Sequence, residues 1–439
     1  MDNLHAQLVA ARILPDLLDV LSGRPCWLVG GALRDALRGE TTKDFDLATP
    51  DDPTPIAKAF AARIRGHWFL MDSLRRQSRV IVPAQSGVWA FDFAPLRAAT
   101  LNEDLRLRDF TVNAVAWPIA SSVTSAEFID PLGGRGDIES RRLRACSAGV
   151  FHDDPLRVLR GVRLAATLGV EIESETFALM GEAAPELAQV AGERIQAELA
   201  LILGAAREGE SLARLHALGL PPLLFGKPEA QGSWASGVNR VERIGAGLEQ
   251  GAGELLAEFT EGEGDEGGWS AAALLKLAAL LAGYRPTIDV GEHLRLSRRA
   301  GNLLRRLREL PPETLAELRP LRDAAPRLRA LWVEQLGAEP VFGLTWLLCQ
   351  ADDPRSWLLD ARRALTDYRE HLRHGRIPDL VDGAWVRQHL VISDGRRIGE
   401  TLRKLRAAEL SGHVKTPDEA RKFLESLAEK NIDKEIDPP

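Results

Sequence analysis

The strongest constraint on this chain lies between residues 27 and 46, in Trp-Leu-Val-Gly-Gly-Ala-Leu-Arg-Asp-Ala-Leu-Arg-Gly-Glu-Thr-Thr-Lys-Asp-Phe-Asp. Trp27, Leu28 and Val29 read as a short buried strand, and Gly30-Gly31 interrupts it where a helix from about Ala32 would begin. Glycines at such a junction let an anion approach the backbone, and the helix start offers free N–H groups and a positive dipole end. Arg34, one turn into the helix, would add a guanidinium to the same anion. After Gly39, Lys43 to Leu47 reads as a second strand, whose period of two sends Asp44 and Asp46 to one face and Phe45 to the other. Two carboxylates about 7 Å apart on one strand face repel each other unless a cation lies between them, and a divalent metal is the simplest such cation. Gly-Gly alone is an ordinary tight turn, and Asp-x-Asp alone occurs in many acidic loops. On a strand-turn-helix-turn-strand frame, the two together point to a site for a metal and a phosphate.

At 439 residues the chain exceeds the size at which one core stops growing, so two to four domains are expected. Cys26, Cys146 and Cys349 are scattered, with no Cys-x-x-Cys spacing, which argues against a disulfide framework or a zinc site and for a reducing, cytoplasmic setting. Residues 1 to 24 carry Asp2, Asp16 and Asp19 and no unbroken apolar run, and nowhere do 18 apolar residues follow one another. A soluble protein with no signal peptide and no membrane partner is therefore expected. The net charge of −7 is unevenly spread: residues 361 to 406 hold 11 basic against 6 acidic side chains, residues 291 to 308 hold 6 against 1, and residues 249 to 268 hold none against 7. Local fields steer association more than the total does, so the two basic helical stretches are candidates for RNA phosphates and the acidic, Gly-rich stretch is not.

Along the chain, residues 1 to 24 read as an amphipathic helix. Beyond residue 50 the signals alternate: a helix at Ile56 to Arg63, strands at Trp68 to Asp72, Ser78 to Val82 and Trp89 to Phe93, a helix from Leu101 through Ala116, and a strand at Phe128 to Ile129. From about Pro155 onward the apolar spacing is helical almost throughout. Breaks fall at Pro221 to Gly237, Gly262 to Gly268 and Gly375 to Pro378, and Asn431 to Pro439 reads as a disordered tail.

The Gly-Gly and Asp-x-Asp stretch resembles the signature of the class II tRNA nucleotidyltransferase and bacterial poly(A) polymerase family, a branch of the DNA polymerase beta-like nucleotidyltransferases. Four further segments resemble that family in order: Arg108-Asp109-Phe110-Thr111-Val112-Asn113-Ala114, Asp130-Pro-Leu-Gly-Gly134 with Asp137, Asp153-Asp154-Pro155-Leu156-Arg157 through Arg160 and Arg163, and Glu193-Arg194 to Glu198. Residues 379 to 424 resemble its C-terminal tail. The resemblance implies an α+β fold, with a nucleotidyltransferase head built on a small mixed sheet followed by helical neck, body and tail. The corresponding divisions are residues 1–145, 146–220, 221–375 and 376–439, the last binding RNA.

It also implies roles. Asp44 and Asp46 would be the catalytic, Mg²⁺-holding carboxylates, Gly31 and Arg34 the triphosphate ligands, and Arg108 with Asp109 the sugar contacts. The family carries a second arginine where Leu107 stands, a contact that is lost here or supplied by Arg106. The Asp130 to Gly134 loop would act as a hinge, and Arg194 and Glu198 would hold neighbouring helices. Asp154 and Arg157 would select the base: a pure acceptor and a pure donor one helical turn apart match the donor–acceptor edges of cytosine and adenine and clash with those of uracil and guanine. Arg160 and Arg163 continue that stripe toward the triphosphate. The family's Glu is replaced by Asp153, and where some members hold a His-Asp phosphohydrolase pair this chain has Ala282-Gly283, so the body reads as a scaffold.

The expected partners are the 3′ end of tRNA with CTP and ATP, for CCA or CC addition. A poly(A) polymerase and a non-catalytic RNA- or nucleotide-binding protein are the alternatives. Members that add the terminal A carry a longer flexible loop between the third strand and the Arg-Asp motif; here only Ala94 to Leu107 intervene, which favours CC addition. No feature of the sequence sets an oligomeric state.

Overall fold

A computed structural model describes residues 13–84, 87–119, 128–205, 207–260, 268–373, 380–390 and 394–436. The expected features at residues 1–12, Gly262 to Glu266 and Gly375 to Pro378 lie outside the described residues. The chain divides into two units, Met1–Lys227 and Pro228–Pro439.

In the first unit, six strands, β1 (Trp27–Val29), β2 (Asp44–Thr49), β3 (His67–Asp72), β4 (Gln77–Ala84), β5 (Gly87–Pro95) and β6 (Ala116–Pro118), form one sheet in the order β3-β4-β5-β2-β1-β6. Only β2 and β5 run parallel; the other neighbours are antiparallel. The small mixed sheet expected from the sequence is present. Alternation along β2 does what the sequence requires: Phe45 and Leu47 turn into the core while Asp44 and Asp46 face out. Helices α1 (Ile13–Leu21) and α2 (Gly31–Leu37) and the longer α3 (Thr54–Ile64) cover the inner face. Ile13, Leu14, Leu17 and Leu21 of α1 meet Ile56, Ala57 and Phe60 of α3 in one cluster with Phe45, Phe91 and Phe93. Phe45 and Phe91 stack with centroids 4.9 Å apart, and Phe60 meets Phe91 edge-on at 5.3 Å, geometries that add to burial.

The helix expected from Leu101 through Ala116 is instead three elements. Helix α4 (Leu101–Arg106) starts at a capping box between Thr100 and Glu103, Thr111–Asn113 form a single 3₁₀ turn, and Ala116–Pro118 pair with β1. The continuous apolar run from Ala114 to Trp117 fits either a buried helix or a buried strand. The open edge of β1 decides between them, because strand pairing there satisfies backbone groups a helix would leave the sheet without. Ile129 makes one isolated bridge to Ala116, not the strand expected at Phe128 to Ile129.

Beyond the sheet, α5 (Gly134–Glu139) leads into two helices, α6 (Leu156–Leu168) and α7 (Gly192–Gly204). The Asp130 to Gly134 loop is held tightly. Asp130 accepts from the backbone of Gly134 at 2.7 Å and of Arg135 at 3.0 Å. Gly133 takes a left-handed φ of 73°, and a Cβ on Gly134 would collide with the carbonyl of Thr111. Asp137, 1% exposed, accepts from Thr111 Oγ1 at 2.7 Å, Arg142 Nε at 2.9 Å and Arg144 Nε at 3.0 Å. A segment expected to bend as a hinge is built as a junction around a buried, fully bonded carboxylate.

The second unit is helical, as the spacing predicts. Two of its helices, α8 (Ser233–Gly247) and α9 (Ala271–Tyr284), cross at glycines: a Cβ on Gly283 would lie within 2.5 Å of Gly237 Cα. Gly247 of α8 lies against Cys349 of α10 (Pro340–Gln350) in the same way. The place where a His-Asp pair would stand is therefore filled by the backbone of a neighbouring helix. In the tail, Val386, Ile398, Leu405, Ala420 and Leu424 share a small core, and the backbone stays helical to Ile436 where a disordered end was expected. No described helix is long and apolar enough to cross a membrane.

Candidate active site

A cleft of about 1800 Å³ lies within the first unit, with the sheet as its floor and α6 and α7 as one wall. Its volume exceeds the few hundred to a thousand Å³ of a typical small-molecule site. Asp46, Asp92, Arg108, Asp109, Asp154, Arg157, Arg160 and Arg194 line it; Gly31, Arg34, Asp44 and Arg163 do not.

On the floor, Asp46 of β2 stands in register with Asp92 of the parallel strand β5. Asp46 stays open to the cleft, yet its carboxyl is pushed above the usual carboxylate range, first by lost hydration at the cleft floor and also by Asp92 and Asp44, with Arg108 and Arg160 opposing. Gly30 has φ 76°, and a Cβ there would sit 2.6 Å from Asp46 Oδ2, so the first glycine is required both by conformation and by the closeness of this carboxylate. Asp44 is exposed at the start of the strand. Asp92 is paired with Arg79 of β4 through both oxygens, at 2.5 and 2.6 Å.

These donors are all hard oxygens, and the described residues bring together no cluster of three or more His, Cys, Asp or Glu side chains around one point. That set fits Mg²⁺, which commonly takes one or two protein carboxylates and completes its shell with substrate phosphates and water.

Asp109 and Arg160 anchor one polar chain on the cleft wall. Asp109, 8% exposed, accepts at Oδ1 from Phe110 N at 2.8 Å and Asn113 Nδ2 at 3.1 Å, and at Oδ2 from Arg160 Nε. Burial raises its carboxyl, but the charge and hydrogen bond of Arg160 more than offset this and hold it below the usual range. Arg163 donates to Glu198 of α7 at 2.7 Å. Arg108 pairs with Asp104 at 3.2 Å, and its buried Nε has no hydrogen-bond partner among the described residues.

Two expectations need correction. Arg34 does not point at the cleft: its guanidinium donates to Asp35 at 2.8 Å and to Asn113 Oδ1 at 2.7 Å. Asp154 and Arg157 lie on the cleft wall but are engaged within the chain. Asp154 receives Arg194 of α7 at 3.1 and 2.8 Å, and Arg157 donates to the carbonyls of Val150 and Leu107, each at 3.1 Å. Charged groups half out of water take the nearest partners, and with Leu156 N also donating to Oδ1 at 3.3 Å, Arg194 and this backbone group take three of the acceptor positions of Asp154. Burial raises the Asp154 carboxyl, and Arg194 outweighs it to leave it lowered.

Sequence reasoning missed Asp92 and Arg79. The one available signal was Phe91-Asp92-Phe93, a carboxylate between two core aromatics on a strand of period two.

Residues 26–144 match the family described as the poly A polymerase head domain, and residues 169–231 that described as a probable RNA and SrmB-binding site of polymerase A. A CC-adding tRNA nucleotidyltransferase of Geobacter sulfurreducens is 35% identical, with 94% of each chain covered. An A-adding tRNA nucleotidyltransferase of Deinococcus radiodurans is 31% identical, covering 92% of this chain and 95% of its own. A solved CCA-adding enzyme in complex with CTP shares the fold at a TM-score of 0.66 and 22% identity, over 96% of this chain and 95% of that one.

Proposed function

Because the chain belongs to the tRNA nucleotidyltransferase and poly(A) polymerase family, we propose that it is a template-independent nucleotidyltransferase adding C, A or both to the 3′ end of tRNA from CTP and ATP. The observation that carries this reading is the cleft that places Asp46, Arg108, Asp109, Asp154 and Arg157 around one space. The oxygen of the RNA 3′-hydroxyl attacks the α-phosphorus, the bond to the β-phosphate breaks, and pyrophosphate leaves.

Asp44 and Asp46 would hold a divalent cation such as Mg²⁺, which when bound would supply the positive charge that acidifies the hydroxyl and neutralises the leaving group. Arg108, which lines the cleft with Asp46, contacts the sugar together with Asp109. Asp109 accepts from the sugar. Asp154 and Arg157 read the base, and Arg160 and Arg163 hold the wall in place through Asp109 and Glu198. The reading assigns residues 1–145 to a catalytic head, 146–220 to the neck, 221–375 to a scaffold body and 376–439 to an RNA-binding tail. Purified protein supplied with tRNA lacking CCA, Mg²⁺ and each NTP singly tests it; incorporation of UTP or GTP as readily as CTP, or of nothing, would refute it.

Within that activity we read the chain as adding CC efficiently and the final A poorly. The segment from Ala94 to Leu107 has no slack for reshaping the pocket. Leu96 N donates to Thr49 O at 2.8 Å, Arg97 donates to Asp104 from its backbone at 2.9 Å and its side chain at 3.0 Å, and the capping box closes the next turn. Sequencing the products made with CTP and ATP together decides the point, and predominantly complete CCA ends at low enzyme concentration would overturn it.

A further inference from the structure

We infer that Phe69, Met71 and Leu74 form a platform for the terminal bases of the RNA being extended, with Arg75 and Arg76 on its backbone phosphates. The inference rests on the nucleotidyltransferase reading above and gives the second substrate a place in it. Its starting point is the register of the sheet. Asp46 lies beside Asp92, Asp92 opposite Arg79, and Arg79 opposite Phe69, so these four side chains form one row on the cleft face. The neighbouring row, Phe45, Phe91, Val80 and Trp68, turns to the core. The cleft row therefore runs from the carboxylate assigned to the metal to an apolar end on the edge strand β3, three strand spacings or about 14 Å away. Met71 falls where the pairing of β3 with β4 slips between Leu70 and Asp72, an irregularity that re-aims a side chain, and it lines the cleft together with Leu74, Arg75 and Arg76 of the following turn. Asp72 accepts from Leu74 N and Arg75 N at 2.9 Å each, which fixes that turn.

Of the nine large apolar side chains exposed among the described residues, four fall in this one stretch: Phe69, Leu70, Met71 and, at 94% exposed, Leu74. Single apolar side chains on a surface are ordinary, but a cluster on the lip of a polar cleft marks an interaction surface. Single-stranded RNA offers both complements, flat base faces for the platform and phosphates for the guanidiniums. Arg75 comes no nearer to Asp72 than 3.9 Å and Arg76 no nearer to Asp52 than 4.0 Å, and both side chains are exposed, so both can turn to a phosphate. The residues given to the nucleotide, Asp109, Asp154 and Arg157, lie outside the β3–β4 hairpin, which leaves this rim of the cleft to the other substrate. An RNA whose 3′-hydroxyl stands at Asp46 lays its last nucleotides along the row toward Phe69.

The test measures addition of a single C to tRNA lacking CCA, and to the same tRNA with an abasic nucleotide at its terminal or its penultimate position. The enzymes compared are the full-length wild type, Leu74→Ser, Phe69→Ser and the double variant Arg75→Gln/Arg76→Gln. Expected is a wild type whose KM for the RNA rises at least about fivefold at one of the two abasic positions, the low end of what one stacked base contributes. Phe69→Ser raises the KM for intact tRNA by a similar factor and Leu74→Ser by at least about threefold, while the KM for CTP stays within about twofold of wild type. In both variants the abasic nucleotide adds less than about twofold, because its contact is already gone. A purely structural role would instead move kcat and both KM values, and the two losses would multiply. Leu74 is exposed in a turn held by backbone hydrogen bonds, so its variant carries the test should Phe69→Ser fail to fold. The double arginine variant lowers the slope of log KM for RNA against log salt by about 1.4, about 0.7 for each single-strand phosphate contact. A wild type indifferent to both abasic positions, losses that multiply, or an unchanged salt slope would overturn the inference. A dimer that Leu74→Ser converts to monomer, with the abasic losses unmoved, would also overturn it and assign the platform to a second copy of the chain. A wild type that adds nothing to any tRNA refutes the nucleotidyltransferase reading, whereas an active wild type without the coupling refutes this inference alone.

Discussion

Replacing Asp137 by Asn separates a junction from a hinge. The native carboxylate is 1% exposed and bonded to Thr111, Arg142 and Arg144, and the Arg144 side chain also reaches Leu132 O at 2.5 Å. Asparagine keeps the shape but carries no charge, so two arginines lose their counter-ion. Removing one partner of a buried pair costs about 3–5 kcal/mol, most of it from the charge left behind. Here Arg142 is 50% and Arg144 32% exposed, so both can recover water, and the lower end, about 3 kcal/mol, is the expected loss. For a unit of this size each kcal/mol moves the midpoint by about 2–4 °C, giving a fall of roughly 6–12 °C. Thermal unfolding followed by hydrogen exchange in peptides from residues 128–227 reads this directly, alongside turnover at a temperature where the variant is folded. Exchange in residues 268–373 should not change. A midpoint lowered by less than about 2 °C, with turnover nonetheless impaired, would refute the reasoning and restore the hinge.

Asp44→Ala and Asp46→Ala should each abolish nucleotide incorporation while the unfolding midpoint stays near wild type; activity within about threefold of wild type for both would end their assignment as metal ligands. Acid stability should fall in a defined window. Burial raises the carboxyls of Asp104 and Asp109, but Arg108 and Arg97 at the first and Arg160 at the second leave both lowered. Their contribution is then complete above the unfolded value of about 4 and lost as pH drops through the lower folded values. Midpoints measured between pH 7 and 2 should hold to about pH 4 and then decline, less steeply for Asp104→Asn than for wild type, and equal slopes would contradict this. Gly283→Ala should cost the second unit about 1–3 kcal/mol or more through overpacking against Gly237, a loss visible in urea denaturation and absent from Gly301→Ala, a helical position of the same unit with open space around it.

Much of the head was legible because its signals are local. The alternation through Phe45 and Leu47 set the inward and outward faces of β2, and Gly30 announced a close approach that the structure locates at Asp46. The run from Ala114 to Trp117 was misread because apolar continuity does not distinguish a buried helix from a buried strand, and the deciding partner, β1, pairs from 87 to 91 residues earlier in the chain. Arg34, Asp154 and Arg157 were placed on the right elements, but their partners were hidden. Arg34 finds Asn113 79 positions away and Asp154 finds Arg194 40 positions away. Pairings of that kind follow from tertiary proximity, which no periodicity encodes. Asp92 escaped notice for a related reason, since its meaning comes only from lying beside Asp46 across a parallel strand pair.

The crossing of α8 and α9 limits what can be engineered into this unit. Where a phosphohydrolase would keep histidine and aspartate, this chain has Ala282-Gly283, and the backbone of Gly237 now occupies the volume an aspartate at 283 would need. Restoring the two missing residues would not restore a metal centre, because the side chain would have to drive the helices apart and unseat the contact of Gly247 with Cys349 farther along the same helix. The glycines thus work as a latch: side chains at 283 and 237 can grow only if the spacing of the two helices changes with them.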